Sequence, residues 1–286
     1  MKKHLSTALL LLVLLAGVAL LLYPTASDYW NSFHQSRAIA GYAESVSGLN
    51  AVDYEHIWRS ARDYNARLLE RANPFRVLEE DEADYNGELN VGNNGIMGYI
   101  EIPSIEVSLP IYHGTSDGVL QVAVGHLQGS SLPVGGPSTH CVLSGHRGLP
   151  SAKLFTNLDQ LAEGDIFMLR ILNETLTYEV DQIHIVLPDE MGDLVVQEGQ
   201  DHCTLITCTP YGVNTHRLLV RGKRIETPEA ASSARITADA VRIDPILVAP
   251  VAAAPMLLAL FIWAIAAPGR GKKKKKPSGK RVKKQS

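Results

Sequence analysis

The chain has 286 residues, of which 45 % are hydrophobic, so it can bury at least one sizeable core. Its net charge is −3, yet the basic residues at its two ends (residues 2–3 and 270–284) hold +12, which leaves −15 for the rest of the chain. An acidic central region excludes nucleic acid as a partner, because phosphate backbones bind to basic surfaces.

Two uncharged apolar runs stand out, Leu5 to Tyr23 and Pro245 to Ala267, and each can cross about 30 Å of hydrocarbon as a helix. Lysines precede the first run, and ten basic residues follow the second. The positive-inside rule therefore predicts two transmembrane helices in the cell membrane, with both termini in the cytoplasm and residues 24–244 outside.

The basic tail, residues 268–286, is interpreted as a stop-transfer anchor that touches anionic membrane lipid. The first run, within residues 1–23, could instead be a cleaved signal peptide. The residues at its C-terminal end, Tyr23-Pro24-Thr25-Ala26, show no small-x-small cleavage pattern, and the run is longer than most signal-peptide cores. Both features favour an uncleaved anchor.

Residues 24–90 are predicted to form a helical stalk and lid region. Apolar side chains at helical spacing predict helices from Ser27 to about Ser47 and from Asp53 to about Arg71. Asn73-Pro74-Phe75 ends the second helix, since proline disfavours helical geometry in the residue before it. The acidic residues 79–84 that follow predict a solvated loop.

From Gly98 onward, short β-rich runs are separated by Gly, Pro and Asp turns. Eight such runs predict a mainly β domain over residues 91–227, folded as a closed barrel or a sandwich. A short helix is predicted between Leu154 and Leu161, and an Ala/Ser-rich linker, residues 228–244, leads to the second apolar run. The predicted strands are Tyr99–Pro103, Val107–Tyr112, Cys141–Leu143, Ile166–Ile171, Leu176–Val180, Gln182–Val186, Cys203–Cys208 and Arg217–Arg221.

The three cysteines, Cys141, Cys203 and Cys208, form no CxxC pair and show no Cys/His spacing typical of a metal site. We therefore expect neither a metal nor a cofactor. An odd number of cysteines outside the membrane leaves at least one thiol free.

Cys208 ends an apolar strand and faces the loop Thr-Pro-Tyr-Gly, Arg217 begins the next strand, and His146 lies upstream in Ser-Gly-His-Arg-Gly. A thiol, an imidazole and a guanidinium are what a cysteine acyl-transferase needs, for attack on a carbonyl, for proton transfer and for stabilising the oxyanion. On the strand pattern alone, Cys208 could also be a small buried hydrophobe, and Arg217 an ordinary surface charge.

The ordered set Thr-Leu-Ile-Thr-Cys, a nearby arginine and an upstream Gly-His resembles the sortase family over roughly Asn73 to Arg224, and more narrowly the class C, pilin-polymerising sortases. The resemblance implies a closed eight-stranded sortase-type β-barrel with short helices, on the extracellular face of a Gram-positive-type membrane. It also implies cleavage of LPxTG-like sorting signals between Thr and Gly through a thioester, and transfer of the acyl group to a pilin lysine.

By the same resemblance, Cys208, His146 and Arg217 are the catalytic residues. The substrate-binding candidates are the neighbours of the cysteine, namely Thr207, Thr209 and Tyr211.

Asn73-Pro74-Phe75 resembles the lid of class C sortases, in which an acidic residue, a proline and an aromatic plug the site. Here Asn73 replaces the aspartate. Its amide oxygen can accept a hydrogen bond from a guanidinium but carries no charge, so a link from the lid to Arg217 should be weaker. The alternative is that Asn73-Pro74-Phe75 merely ends a helix.

Other functions remain open at this point. A housekeeping sortase would pass surface proteins to peptidoglycan amines, and a plain cysteine peptidase would use water. A non-catalytic, membrane-anchored assembly module would contain no activated cysteine.

Cys141 lies five residues before His146, and Cys203 lies five before Cys208. If His146 and Cys208 end neighbouring parallel strands, as in the sortase fold, these equal offsets predict that Cys141 and Cys203 lie side by side. A disulfide between them is possible outside the cell, but lateral neighbours have awkward bridge geometry, which favours two buried free thiols.

Overall fold

The computed structural model describes residues 2–76 and 81–228, with side chains from residue 9 onward. The second apolar run (245–267), the basic tail (268–286) and nearly all of the linker (228–244) lie outside the described residues. The second membrane span therefore stays a sequence prediction.

Helix α1, Lys2–Ser47, joins the first apolar run and the predicted stalk helix into one continuous element, whereas we expected two. Pro24 lies inside it and removes one backbone donor, but the helix-forming residues on either side keep the helical geometry. From Leu9 to Tyr23 the helix is apolar and mostly exposed, with Leu20 76 % exposed. Among the described residues, α1 alone is long and apolar enough to cross a membrane.

The second half of α1 packs on the β domain. Tyr42 is 2 % exposed; its hydroxyl donates to the Met97 carbonyl at 3.0 Å and accepts from the Leu172 amide at 2.8 Å. Closer to the apolar run, Asn31 donates to the Ser151 carbonyl at 2.7 Å. The stalk helix is thus part of the folded domain rather than a free tether.

Helix α2, Ala51–Leu69, starts at a capping box in which Asn50 and Asp53 satisfy each other's backbone amides. Its apolar stripe is buried as the spacing predicted, and Trp58 donates to the Asn173 side chain at 3.0 Å. Asn65 exchanges two hydrogen bonds with the backbone of Leu132, at 2.7 and 3.3 Å. These contacts attach α2 to the barrel.

The acidic stretch after α2 is more ordered than we expected. Residues Glu82–Gly87 form a short helix, α3, and its Tyr85 is buried with its hydroxyl 2.9 Å from Nδ1 of His126. Arg71 forms a two-pronged ion pair with Asp81, both bonds being 2.7 Å. The prediction of a loop is therefore wrong for these residues, because one buried aromatic and one ion pair order the stretch, although Glu82 and Asp84 are exposed to solvent as expected.

The remaining chain forms a closed eight-stranded barrel with the strand order β1-β2-β3-β4-β7-β8-β6-β5. A four-residue helix, α4 (Asp117–Leu120), lies between β2 and β3. The strands are β1 (Ile96–Ile102), β2 (Val107–His113), β3 (Val124–His126), β4 (Thr139–Ser144), β5 (Ile166–Ile171), β6 (Glu174–Val186), β7 (Asp201–Thr209) and β8 (His216–Ile225).

The predicted number of strands is confirmed, but two assignments differ. The runs Leu176–Val180 and Gln182–Val186 belong to one strand, β6, which contains a bulge at Asp181 that restores the inward pattern. Strand β3 was missed, because three residues containing a glycine and a histidine carry no alternating signal. The helix predicted from Leu154 is only a 3-10 turn, Leu158–Gln160.

Strands β4 and β7 are parallel, and Cys141 and Cys203 are direct partners across them. The prediction that they lie side by side is confirmed. Both cysteines are buried in the barrel interior as free thiols. The interior also receives Leu143, Leu205 and Val220, so the core lies on the face of the sheet that carries these odd-numbered residues of β4 and β7.

Replacing Tyr42 by Phe should lower the stability of the protein, because the Leu172 amide loses its acceptor while remaining buried. An unsatisfied buried donor costs about 1–3 kcal/mol. Thermal unfolding of the full chain in detergent measures the effect, with Tyr29→Phe as a control at an exposed position of the same helix. Equal melting temperatures for the two variants would show that α1 is not anchored through Tyr42.

Candidate active site

The parallel pairing of β4 and β7 brings the predicted histidine to the predicted cysteine. Every paired position in this ladder differs by 62 residues, and the last pair is Ser144 with Ile206. His146 and Cys208 keep the same difference two residues further on. Both residues are half-buried. Cys208 lies on the outer face of β7, because strand residues alternate in direction, whereas His146 lies just beyond the end of β4.

Gly145 makes the step from β4 to His146 possible. A Cβ atom there would come within 2.7 Å of the Phe155 ring, so only glycine lets this ring pack against the strand end. The Gly145 amide donates to the Ile206 carbonyl at 3.0 Å, and the Thr207 hydroxyl donates to the Gly145 carbonyl at 2.8 Å.

Strand β8 brings Arg217 to the same place. It is antiparallel to β7, and Cys208 and Arg217 are direct partners across the two strands. The guanidinium donates to the carbonyls of Asn214 and His216, at 3.3 and 3.1 Å. In the described part of the chain no carboxylate pairs with Arg217, so its positive charge is not neutralised there.

The structure therefore pairs the thiol of Cys208 with the guanidinium of Arg217 across two strands, and the chain that carries the imidazole of His146 leaves the neighbouring strand at the same end of the barrel. A thiolate can attack a carbonyl, the imidazole can move the protons, and the guanidinium can stabilise the negative oxygen that develops. The three groups come from three adjacent strand ends, which holds them more rigidly than one flexible loop would.

The three substrate-binding candidates have different surroundings. Thr207 is 2 % exposed and its hydroxyl is used by the Gly145 carbonyl, so its side chain supports the site from within rather than facing a substrate. Thr209 is also buried and accepts a hydrogen bond from Arg147. Tyr211 is 61 % exposed, so it is the one candidate of the three whose side chain a substrate could contact.

The Asn73-Pro74-Phe75 segment lies against the barrel. A Cβ atom on Gly129, which has φ +96°, would approach the Pro74 carbonyl oxygen to 2.5 Å, so the segment needs glycine beneath it. Phe75 packs against an apolar cluster on the outer face that consists of Val142, Leu194 and Leu219.

This face is the one that carries the predicted catalytic residues. Val142 lies four residues before His146 on β4, and Leu219 lies two residues after Arg217 on β8. Phe75 therefore packs on the same outer face of the sheet that carries Cys208 and Arg217.

The expected link from Asn73 to Arg217 does not form among the described residues, since the guanidinium bonds to loop carbonyls of its own strand end. The Asn73 carbonyl instead accepts from the Arg76 amide at 3.3 Å, which makes a turn. Packing of Phe75 and the Arg71–Asp81 ion pair hold the segment in place.

A pocket of about 450 Å³ lies under this segment. One wall is the end of α2 with the lid-like residues, and the other is the segment between β6 and β7. Its lining consists of Asn65, Leu68, Leu69, Arg71, Ala72, Asn73, Pro74, Phe75, Gly129, Ser130, Ser131, His140, Met191, Gly192, Leu194, Val195 and Val196.

His140 has a structural role at the base of this pocket. Its two ring nitrogens contact the Val195 carbonyl at 3.2 Å and the Thr204 hydroxyl at 2.7 Å. Burial lowers the pKa of His140 to about 4, and it also lowers the pKa of the neighbouring His202. Both are therefore neutral near pH 7. In the described ranges no group of His, Cys, Asp and Glu has a geometry that could hold a metal ion.

Arg147, directly after His146, was missed by sequence reasoning. Its side chain is 10 % exposed and forms an ion pair with Asp159 and a 3.2 Å hydrogen bond to the Thr209 hydroxyl. The only signal was its position beside the histidine, and sequence spacing cannot show that it reaches the strand of Cys208.

Residues 100–225 match the sortase domain. Sortase D of Bacillus subtilis is 30 % identical over 148 residues, which cover 51 % of this chain and 72 % of that protein. The crystal structure of sortase C1 from Streptococcus agalactiae is 52 % identical, with a TM-score of 0.66, over 67 % of this chain and all of the other. The Streptococcus pneumoniae sortase C structure is 43 % identical, with a TM-score of 0.58, over 66 % and 97 %.

A closed eight-stranded barrel with a cysteine site at its strand ends defines a cysteine transpeptidase of the sortase type. The chain belongs to the sortase family, and its structural neighbours are class C sortases.

Replacing Arg217 by Lys should reduce transpeptidation severely. Lysine keeps the positive charge but loses the planar group that can contact an oxyanion while bonding to a backbone carbonyl. Loss of one such oxyanion donor lowers kcat about 10²–10³-fold. Steady-state kinetics with a sorting-signal peptide measure it, with Arg224→Lys on the same strand as a control. Near-normal turnover of Arg217→Lys would leave Arg217 as a surface charge.

Replacing Phe75 by Ala should speed the reaction of Cys208 with a small thiol reagent if the segment guards the site, because Phe75 packs on the outer face of the sheet that carries the thiol. Mass spectrometry of the labelled protein gives the rate at each cysteine. Phe33→Ala, which removes an exposed aromatic of α1, is the control. If Cys208 is labelled at the same rate in the unmodified protein and in both variants, the Asn73–Phe75 segment does not guard the site.

Proposed function

We propose that this protein is a membrane-anchored sortase that cleaves LPxTG-like sorting signals between Thr and Gly and transfers the acyl group to a pilin lysine. The observation that supports this proposal is the strand register, which pairs Cys208 with Arg217 and aligns β4, the strand before His146, with β7, the strand of Cys208. Cofactor chemistry is not needed for these steps.

In the first half of the reaction, the Cys208 thiol gives its proton to His146 and its sulfur attacks the threonine carbonyl carbon. The electron pair of the carbonyl moves to oxygen, where Arg217 stabilises the charge. When the tetrahedral intermediate collapses, the C–N bond breaks and His146 donates the proton to the departing glycine amine. A thioester on Cys208 remains.

In the second half, a lysine amine attacks the thioester carbon and the C–S bond breaks. His146 accepts a proton from the attacking amine and returns it to the Cys208 sulfur. The product is an isopeptide bond between two proteins. Because bond energy passes through the thioester, no external energy source is required.

Two observations favour pilin polymerisation over housekeeping anchoring to peptidoglycan. One of the similar structures, the sortase C of Streptococcus pneumoniae, belongs to an enzyme with specificity for pilin substrates. In addition, an aromatic side chain, Phe75, packs beside the site from a segment that precedes the barrel, as in the lid of class C enzymes.

The apolar half of α1 supports membrane anchoring. The proposed orientation, with the barrel outside and both termini in the cytoplasm, rests on the basic residues that flank the two apolar runs. Tyr23 ends the apolar run, and three further exposed aromatics, Tyr29, Trp30 and Phe33, follow it within about 15 Å of helix. Aromatics of this kind are enriched where a membrane helix leaves the hydrocarbon. A second span at residues 245–267 rests on the sequence alone.

Replacing Cys208 by Ala should abolish formation of the acyl-enzyme with a sorting-signal peptide, because no other half-exposed thiol is present in the described residues. Intact-mass analysis detects the thioester, and Cys203→Ala is the control: it removes a buried thiol, so it should lower stability while leaving acylation possible. Acylation of Cys208→Ala would contradict the assignment.

Adding an amine distinguishes the remaining alternatives. A transpeptidase gives an amide product in place of the acid, a plain peptidase gives the acid only, and a non-catalytic assembly module gives neither. Co-expression with candidate LPxTG-bearing surface proteins then separates pilin polymerisation, seen as an SDS-resistant ladder, from anchoring to peptidoglycan.

A further inference from the structure

The backbone pairing that aligns β4 with β7 stops before it reaches the catalytic residues. Its last paired position is Ser144 with Ile206, followed by one amide-to-carbonyl bond from Gly145. Cys208 and His146 lie beyond this point. Their relative position therefore depends on side chains that join the segment after β4 to the end of β7.

Arg147 provides such a connection. Its Nη1 donates to the Thr209 hydroxyl at 3.2 Å, and Thr209 directly follows Cys208. Its Nη2 donates to Asp159, which lies in the 3-10 turn further along the segment that begins with His146. One guanidinium thus joins the residue after the thiol to the loop that carries the imidazole.

The surroundings of Arg147 fix its direction. Its guanidinium lies 6.0 Å from the centre of the Tyr211 ring, and a Cβ atom on Gly148 would come within 2.7 Å of that ring. The side chain is only 10 % exposed, and its Nε is buried with no hydrogen-bond partner among the described residues. The group is therefore held tightly between the two loops.

This arrangement fits a role in positioning the catalytic residues better than a role in stabilising the fold. Burying a guanidinium with one unsatisfied donor carries a desolvation cost, and an apolar contact would join two loops at a lower cost. Its charge is also partnered by Asp159, so it adds little to the field at the Cys208 sulfur. Arg147 thus fixes the distance and direction between the end of β7 and the loop that begins with His146.

We propose that Arg147 is a positioning residue that sets His146 against Cys208 by bonding Thr209 and Asp159 at the same time. This inference rests on the proposed roles of Cys208 and His146. A small displacement of reacting groups can cost about 100-fold in rate.

The experiment measures kcat, KM and the pH profile of kcat/KM with a sorting-signal peptide as substrate, for Arg147→Gln and Thr209→Val in the full-length protein. We expect kcat to fall about 10- to 100-fold in Arg147→Gln with KM nearly unchanged. The pH profile should also shift, because proton transfer between His146 and Cys208 is altered. Thr209→Val keeps the arginine and its ion pair, so a fall in kcat there isolates the bond to the strand of Cys208.

Arg221→Gln is the matched control. Arg221 forms a two-pronged ion pair with Asp181 at 3.0 and 2.8 Å, its side chain is 15 % exposed, and it lies four residues from Arg217 along β8. Breaking this pair should lower stability with kcat and the pH profile retained. Arg147→Lys, which can reach only one of the two partners, should recover part of the lost kcat.

Two outcomes would overturn the inference: kcat and pH profile unchanged in both Arg147→Gln and Thr209→Val, or the same loss of kcat in Arg221→Gln at equal melting temperature. Should Arg147→Gln fail to fold, Thr209→Val decides alone. Failure of the proposed function is distinguishable, because Cys208→Ala would then remain active, whereas failure of this inference leaves Cys208→Ala inactive.

Discussion

The parallel pairing of β4 with β7 is the constraint on which the rest of the structure depends. A parallel ladder with a constant offset delivers two distant parts of the chain to the same edge of the barrel in a fixed relation. The antiparallel partner β8 then places Arg217 directly opposite Cys208. Shifting this register by one residue would turn the thiol into the core, because side chains alternate between the faces of a strand.

The alternation of faces also separates stability from chemistry. Cys141 and Cys203 face the closed interior with the apolar core, whereas Cys208 faces outward on the same strand as Cys203. The same residue type is thus a small buried hydrophobe at two positions and a half-exposed thiol at the third. Five residues along one strand are enough to make this difference.

The helices before the barrel act on the site by packing. Helix α2 is fixed to the Leu132 backbone through Asn65, and the chain that leaves it passes over Gly129 so that Phe75 reaches Val142 and Leu219. No bond to Arg217 is needed for this placement in the described structure. Packing of Phe75 and the Arg71–Asp81 ion pair are the contacts that hold this segment against the barrel.

The sequence by itself determined the family, because the thiol in Thr-Leu-Ile-Thr-Cys, the arginine of the next strand and the Gly-His pattern are local and their order is that of the sortases. The catalytic roles of these residues stay predictions. With the strand pairing of that family, the sequence also predicted that Cys141 and Cys203 lie side by side, because each lies five residues before a residue at the end of one of two parallel strands. Only the tertiary structure decided that Tyr85 orders the acidic stretch, that β3 closes the barrel, that Thr207 is internal and that Arg147 reaches Thr209. Each of these depends on contacts between residues distant in sequence, and no periodicity or composition of a short segment encodes such a contact.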